Sequence, residues 1–129
     1  VGTPRWSQNV DDAADDPILG YDNLMYTLHF YAGTHKEWLR QKGDYAISKG
    51  LALFVTECGG MNADGQGPID VESTDAWIEW MDENDISHIF WSISDKKETC
   101  SMLYPSAVSE GPWRAEDLSP WGTFVKERL

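Results

Sequence analysis

The chain has 129 residues with 22 acidic and 10 basic side chains, a net charge of −12, 41% hydrophobic content and seven Trp. That length and apolar content suit one domain, residues 1–129, and exclude a disordered chain; no apolar run approaches the roughly 18 residues of a membrane span. The charge repels phosphate backbones and anionic lipid, which argues against nucleic acid and membranes as partners, while the tryptophan faces suit a neutral polysaccharide.

In chain order, an extended opening, Val1-Gly2-Thr3-Pro4, leads into the acidic stretch Asp11–Asp16. Asn23–Tyr31 is rich in aromatic and apolar residues and reads as a buried strand. Thr34 and Glu37 have the spacing of a capping box. The helix they open carries a stripe of Trp38, Leu39, Tyr45 and Ala46 and stops at Gly50. Leu51–Glu57 is a second buried strand, followed by a glycine-rich loop and a helix over residues 71–84 that turns Ala76, Trp77, Trp80 and Met81 inward. Ile86–Ser92 is the next strand, and Ser119-Pro120 opens a last helix as N-cap and first-turn proline. Near-continuous apolar strands separated by amphipathic helices predict an α/β fold with a parallel sheet. Four such units fit either a small open sheet or half of a (β/α)8 barrel.

Cys58 and Cys100 form no C-x-x-C pair and have no His at ligand spacing, so no metal site is expected. No signal peptide is visible and the first residue is Val, not Met, so the chain is expected to be trimmed, processed or excised. Polar and aromatic residues gather at the strand ends: His29 and Tyr31 on one strand, Glu57 on the next, Trp91 on the third. In α/β folds the carboxyl ends of strands form the functional face.

Four segments carry a family resemblance: Trp6-Ser7-Gln8, Leu28–His35, Phe54-Val55-Thr56-Glu57 and Phe90–Thr99. Together they resemble glycoside hydrolase family 5, in particular its bacterial-type endo-β-1,4-glucanases (cellulases), and they map to strands five to eight of that family's (β/α)8 barrel. The resemblance implies a half-barrel of four parallel strands, each followed by a helix. It implies β-1,4-glucan or cello-oligosaccharide as ligand, a retaining mechanism without cofactor or metal, and a secreted protein. By the same resemblance Glu57 is the catalytic nucleophile, His29 and Tyr31 line the cleavage subsite, and Trp91 is the platform under the cleaved sugar. Lys96 and Glu98 would bond a neighbouring glucose, while Trp6 and His35 would flank the cleft. Cys58 and Cys100, on loops after adjacent strands, would be bridged by a disulfide.

Two departures stand out. Glu57-Cys58-Gly59-Gly60 replaces the family's usual Glu-Trp-Gly, and the Asn-Glu-Pro motif that supplies the general acid/base at strand four does not occur in this chain. Retention needs two carboxyls about 5 Å apart. A lone chain is therefore expected to act with a complementary amino-terminal half, or to be a non-catalytic β-glucan-binding module or an inactive fragment. Four strands would leave two bare edges and uncover the inner face around Met25, Thr27 and Leu53. A two-fold homodimer is the simplest closure by copies of this chain.

Overall fold

The computed structural model describes residues 1–129. Two short elements, α1 (Pro4–Ser7) and α2 (Val10–Asp15), precede β1 (Tyr26–Tyr31), α3 (Glu37–Ser48), β2 (Leu53–Gly59), α4 (Val71–Glu83), β3 (His88–Phe90) and α5 (Pro120–Lys126). The strands form one three-stranded parallel sheet in the order β1-β2-β3, each followed by a helix, which is the repeating unit of a (β/α)8 barrel.

The expected first strand is reduced to an edge contact. The Val1 amino group donates to the Met25 carbonyl at 2.7 Å, and Thr27 N–H donates to the Val1 carbonyl at 2.8 Å. Beyond Thr3 the chain leaves that edge, because proline has no N–H to donate. It then turns through α1 with Arg5, Trp6 and Ser7 all left-handed, at φ of 57°, 54° and 60°. β3 is shorter than Ile86–Ser92: Ile86 packs into the core ahead of the strand, and Trp91 follows it, its N–H donating to the Cys58 carbonyl at 2.8 Å.

The core lies between the sheet and its helices. Tyr26, Leu28 and Phe30 of β1 and Leu53 and Val55 of β2 pack against Leu39 and Ala46 of α3 and Trp77, Trp80 and Met81 of α4. Phe30 and Trp77 stack with ring centroids 3.9 Å apart, and Gly43 makes room for Trp80, since a Cβ there would stand 2.5 Å from the indole. A second cluster, Met61, Cys100, Met102, Trp121, Phe124 and Val125, seats α5. Ser119 and Pro120 open α5 as expected, with Ser119 Oγ accepting from Gly122 N–H at 3.1 Å.

Three local expectations are corrected. Thr34 caps no helix: α3 starts at Glu37, and the Thr34 hydroxyl accepts from Ala63 N–H at 2.9 Å, tying the loop after β1 to the loop after β2. Trp38 and Tyr45 sit on the solvent side of α3, 46% and 37% exposed, and the buried stripe is Leu39, Gly43 and Ala46. Leu53 faces the helices; the residues left open on the other face of the sheet include Met25, Ile89 and Trp91. An apolar sheet face in solvent is what a barrel wall without its opposite wall presents.

Candidate active site

The site grows from a fault in the strand register. β1 and β2 pair in step from Tyr26↔Leu53 to Leu28↔Val55, then His29 pairs with Glu57, so Thr56 is an extra residue. Side chains alternate along a strand, so in an unbroken β2 Glu57 would join Leu53 and Val55 against the helices. The bulge turns Glu57 to the open face beside His29 and Tyr31, and returns Cys58 to the buried core.

Across this step the Tyr31 hydroxyl donates to Glu57 Oε1 at 2.7 Å, while His29 Nδ1 stands 3.7 Å from Glu57 Oε2. His29 Nε2 is hydrogen-bonded to the hydroxyl of the bulge residue, Thr56, at 2.9 Å. Tyr31 lies opposite Gly59, where a Cβ would come within 2.8 Å of its ring; the missing side chain lets the phenol lean over β2 to the carboxylate. Behind it, the backbone N–H of Tyr31 donates to His35 Nδ1 at 2.8 Å, and the His35 carbonyl accepts from Trp77 Nε1 at 2.9 Å.

Trp6, Gln8, His29, Tyr31, His35, Glu57 and Ala63 line one cleft of about 330 Å³. Five expected site residues therefore meet at one place. Lys96 and Glu98 instead line a separate cavity of about 430 Å³ with Gln66, Tyr104 and Trp121. Trp91 stands at the end of β3, 43% exposed, its carbonyl accepting from Trp121 Nε1 at 2.7 Å.

Burial pushes the pKa of His29 below the ordinary imidazole value, and the Glu57 carboxylate opposes that shift only in part. Burial likewise lowers His35. The Tyr31 phenol is pushed far up, by burial first and then by its bond to Glu57, and stays a donor throughout the physiological range. The cleft thus holds one carboxylate anchored through one oxygen, neutral imidazoles and a fixed phenol donor. No group of three His, Cys, Asp or Glu side chains is arranged to hold a metal ion.

The expected disulfide is absent. Cys58 and Cys100 are free, buried thiols in separate clusters, Cys58 with β1 and β2 and Cys100 with α5. The bulge is the physical reason for Cys58: it turns that side chain into the core between β1, β2 and the helices. Sequence reading missed Thr56, Gly59, Gln8 and Ala63. Thr56 and Gln8 lie within the quoted motifs and Gly59 within the Glu57–Gly60 stretch set against the family's Glu-Trp-Gly, whereas nothing in the chain alone marks Ala63.

Residues 1–97 match the family model of cellulase (glycosyl hydrolase family 5). The chain is 54% identical over 107 residues to Endoglucanase Z of Dickeya dadantii, an alignment covering 83% of this chain and 25% of that protein. Its fold superposes on the solved structure of cellulase Cel5C_n with a TM-score of 0.92 at 49% identity, covering 98% of this chain and 38% of that one. The catalytic domain of Thermobifida fusca endoglucanase Cel5A, solved as a variant in complex with cellotetraose, gives a TM-score of 0.90 at 29% identity, with 99% and 44% covered. The chain spans about a quarter of the length of the curated relatives it matches.

Proposed function

This chain belongs to glycosyl hydrolase family 5, and from that membership we propose that it forms the carboxyl-terminal half of a cleft that cuts internal β-1,4 bonds of cellulose. The observation that carries the reading is the bond from Tyr31 to Glu57, at the strand ends and inside the cleft. Glu57 is the nucleophile. Its carboxylate attacks the anomeric carbon, the C–O bond to the leaving sugar breaks, and a glycosyl ester forms that water later opens.

Tyr31 fixes the attacking carboxylate, and His29 borders it as a neutral group. Trp91 offers an apolar face under the reacting sugar, Trp6 and His35 flank the cleft, and Lys96 and Glu98 hold a neighbouring glucose from the second cavity. The leaving oxygen takes its proton from a second carboxyl about 5–5.5 Å from Glu57, supplied by a complementary amino-terminal half that also covers the open face of the sheet. A secreted protein fits a polymeric substrate of this kind.

A 2-fluoro cellobioside with a dinitrophenolate leaving group tests the assignment without the second carboxyl, because that leaving group departs unprotonated. The expected product is a single glycosyl ester on the peptide containing Glu57, lost in Glu57→Gln. A label on another carboxylate, or none, would end the assignment.

A further inference from the structure

One side chain in the cleft has a geometry that contact with sugar does not explain. Even-numbered residues of β1 donate their backbone N–H groups to the β2 side, as Tyr26 does to Ala52 and as Ala32, just past the strand, does to Gly59. Odd-numbered residues face the other edge, where Thr27 finds the Val1 carbonyl. The opening segment leaves that edge at Pro4, so the Tyr31 N–H, four residues beyond Thr27, has no strand partner there. A buried N–H without an acceptor is costly, about 1–3 kcal/mol. His35 Nδ1 supplies the acceptor at 2.8 Å.

The imidazole is itself held. His35 N–H donates to the Tyr31 carbonyl at 2.7 Å, closing a ring of two hydrogen bonds between the same residues. The Trp77 indole on α4 fixes the His35 carbonyl, and the ring, 5% exposed, lies edge-on to Trp38 of α3 with centroids 5.7 Å apart. An Nδ1 that accepts from an N–H carries no proton, so the neutral ring holds its proton on Nε2.

We propose that His35 is a positioning residue: by accepting the Tyr31 N–H on Nδ1 it fixes the end of β1, and through it the phenol that holds Glu57. The chain of contacts runs Trp77–His35–Tyr31–Glu57, from helix core to carboxylate. Protonation of His35 would place a second donor against the Tyr31 N–H and break the link. The titratable and charged groups around it are Glu57, Tyr31 and His29 in the cleft and its neighbour Lys36, which is paired with Asp70 at the start of α4.

The catalytic consequence rests on Glu57 being the nucleophile; the hydrogen-bond claim does not. Asn places its Oδ1 the same number of bonds from Cα as Nδ1, whereas Gln places its amide one bond farther out. His35→Asn should therefore keep the Tyr31 amide protected from hydrogen exchange, and His35→Gln should raise its exchange at least about tenfold through local opening. In the labelling reaction His35→Gln should lower the maximal rate of Glu57 modification by about ten- to a hundredfold with little change in the half-saturating concentration, since misplacement by an ångström costs on that order. His35→Asn should stay within about threefold.

A Tyr31 amide equally protected in both variants would overturn the proposal, as would equal loss of labelling in both. If the parent chain takes no label at Glu57, the nucleophile assignment fails, while the exchange comparison still decides whether His35 holds Tyr31.

Discussion

Tyr31 reaches Glu57 by leaning over Gly59, and the 2.7 Å bond between phenol and carboxylate spans the one place where β1 and β2 fall out of step. The bulge at Thr56 and the bare Cα of Gly59 are both needed. Without the bulge the carboxylate would point into the core, and with a side chain at position 59 the phenol would be pushed off it.

Tyr31→Phe keeps the ring and removes the donor. A hydrogen bond to a charged group contributes about 1.5–3 kcal/mol, toward the lower end here because the Glu57 side chain is 28% exposed and water replaces part of the bond. We expect a drop of about 1.5 kcal/mol in urea-derived stability and a fall of about tenfold or more in the rate of Glu57 labelling. Labelling at the parental rate would show that the phenol does not prepare the carboxylate.

Two tryptophans should separate binding from folding. Trp91 is 43% exposed at the end of β3, whereas Trp77 is fully buried and stacked on Phe30. Trp91→Ala should weaken cellotetraose binding by about tenfold, ~1.4 kcal/mol, with little change in melting temperature. Trp77→Ala should cost about 3–5 kcal/mol of stability and also strip His35 of its anchor. Calorimetric titration and thermal melts on the same samples distinguish the two, and unchanged affinity in folded Trp91→Ala would return that residue to a packing role.

Much of this was legible in the residues. The apolar runs around Leu28 and Val55, the stop at Gly50 and the Ser119-Pro120 start are local signals, and local physics governs them. The gathering of His29, Tyr31 and Glu57 at strand ends was legible too, because strand ends in a parallel sheet lie on one rim. The bulge was not: a period of two applied to Leu53, Val55 and Glu57 puts the carboxylate on the wrong face, and register is set by pairing with β1. Thr34 and Glu37 satisfy the spacing of a capping box, yet the Ala63 N–H, which only tertiary structure brings near, takes the hydroxyl. The part played by His35 depends on where Pro4 leaves the sheet edge, 31 residues earlier in the chain.

Stability should fall on mild acidification. The folded-state pKa values of His29 and His35 lie below the ordinary value of 6.5, mainly through burial. The unfolded chain then binds more protons, so stability is full above about pH 6.5 and is lost as pH falls toward the folded values. Asp70 has a lowered carboxyl pKa, chiefly from its bond to Lys36, and loses its contribution only below the carboxylate range. Urea midpoints between about pH 7.5 and about pH 5 should therefore decline, with a flatter slope in the His29→Gln, His35→Asn double variant. A midpoint that rises on acidification would give the shifts the opposite sign.

Both thiols should be present and slow to react. Burial and the nearby Glu57 charge push the Cys58 thiol up, and burial with Glu98 pushes Cys100 up to about 11. The thiolate is the reactive form, so native protein should react slowly with a colorimetric disulfide reagent near pH 8. Unfolded in denaturant without reductant, it should release two thiol equivalents per chain. None released would restore the bridge that the family resemblance suggested.

Gly59→Ala tests the lean of Tyr31 directly. The added methyl would stand 2.8 Å from Tyr31 Cδ1 and 2.9 Å from Met61 Sδ, too close for either to stay in place. Overpacking of this kind costs about 1–3 kcal/mol, and the ring, pushed off β2 at Gly59, should move away from Glu57 on the same strand. We therefore expect a loss of stability together with slower labelling of Glu57, and a double-mutant cycle assigns the cause. In the Tyr31→Phe background the phenol bond is already gone, so Gly59→Ala should still destabilise the fold but add little to the loss of labelling. Additive losses of labelling in the double variant would mean that position 59 shapes the cleft by a route that does not pass through Tyr31.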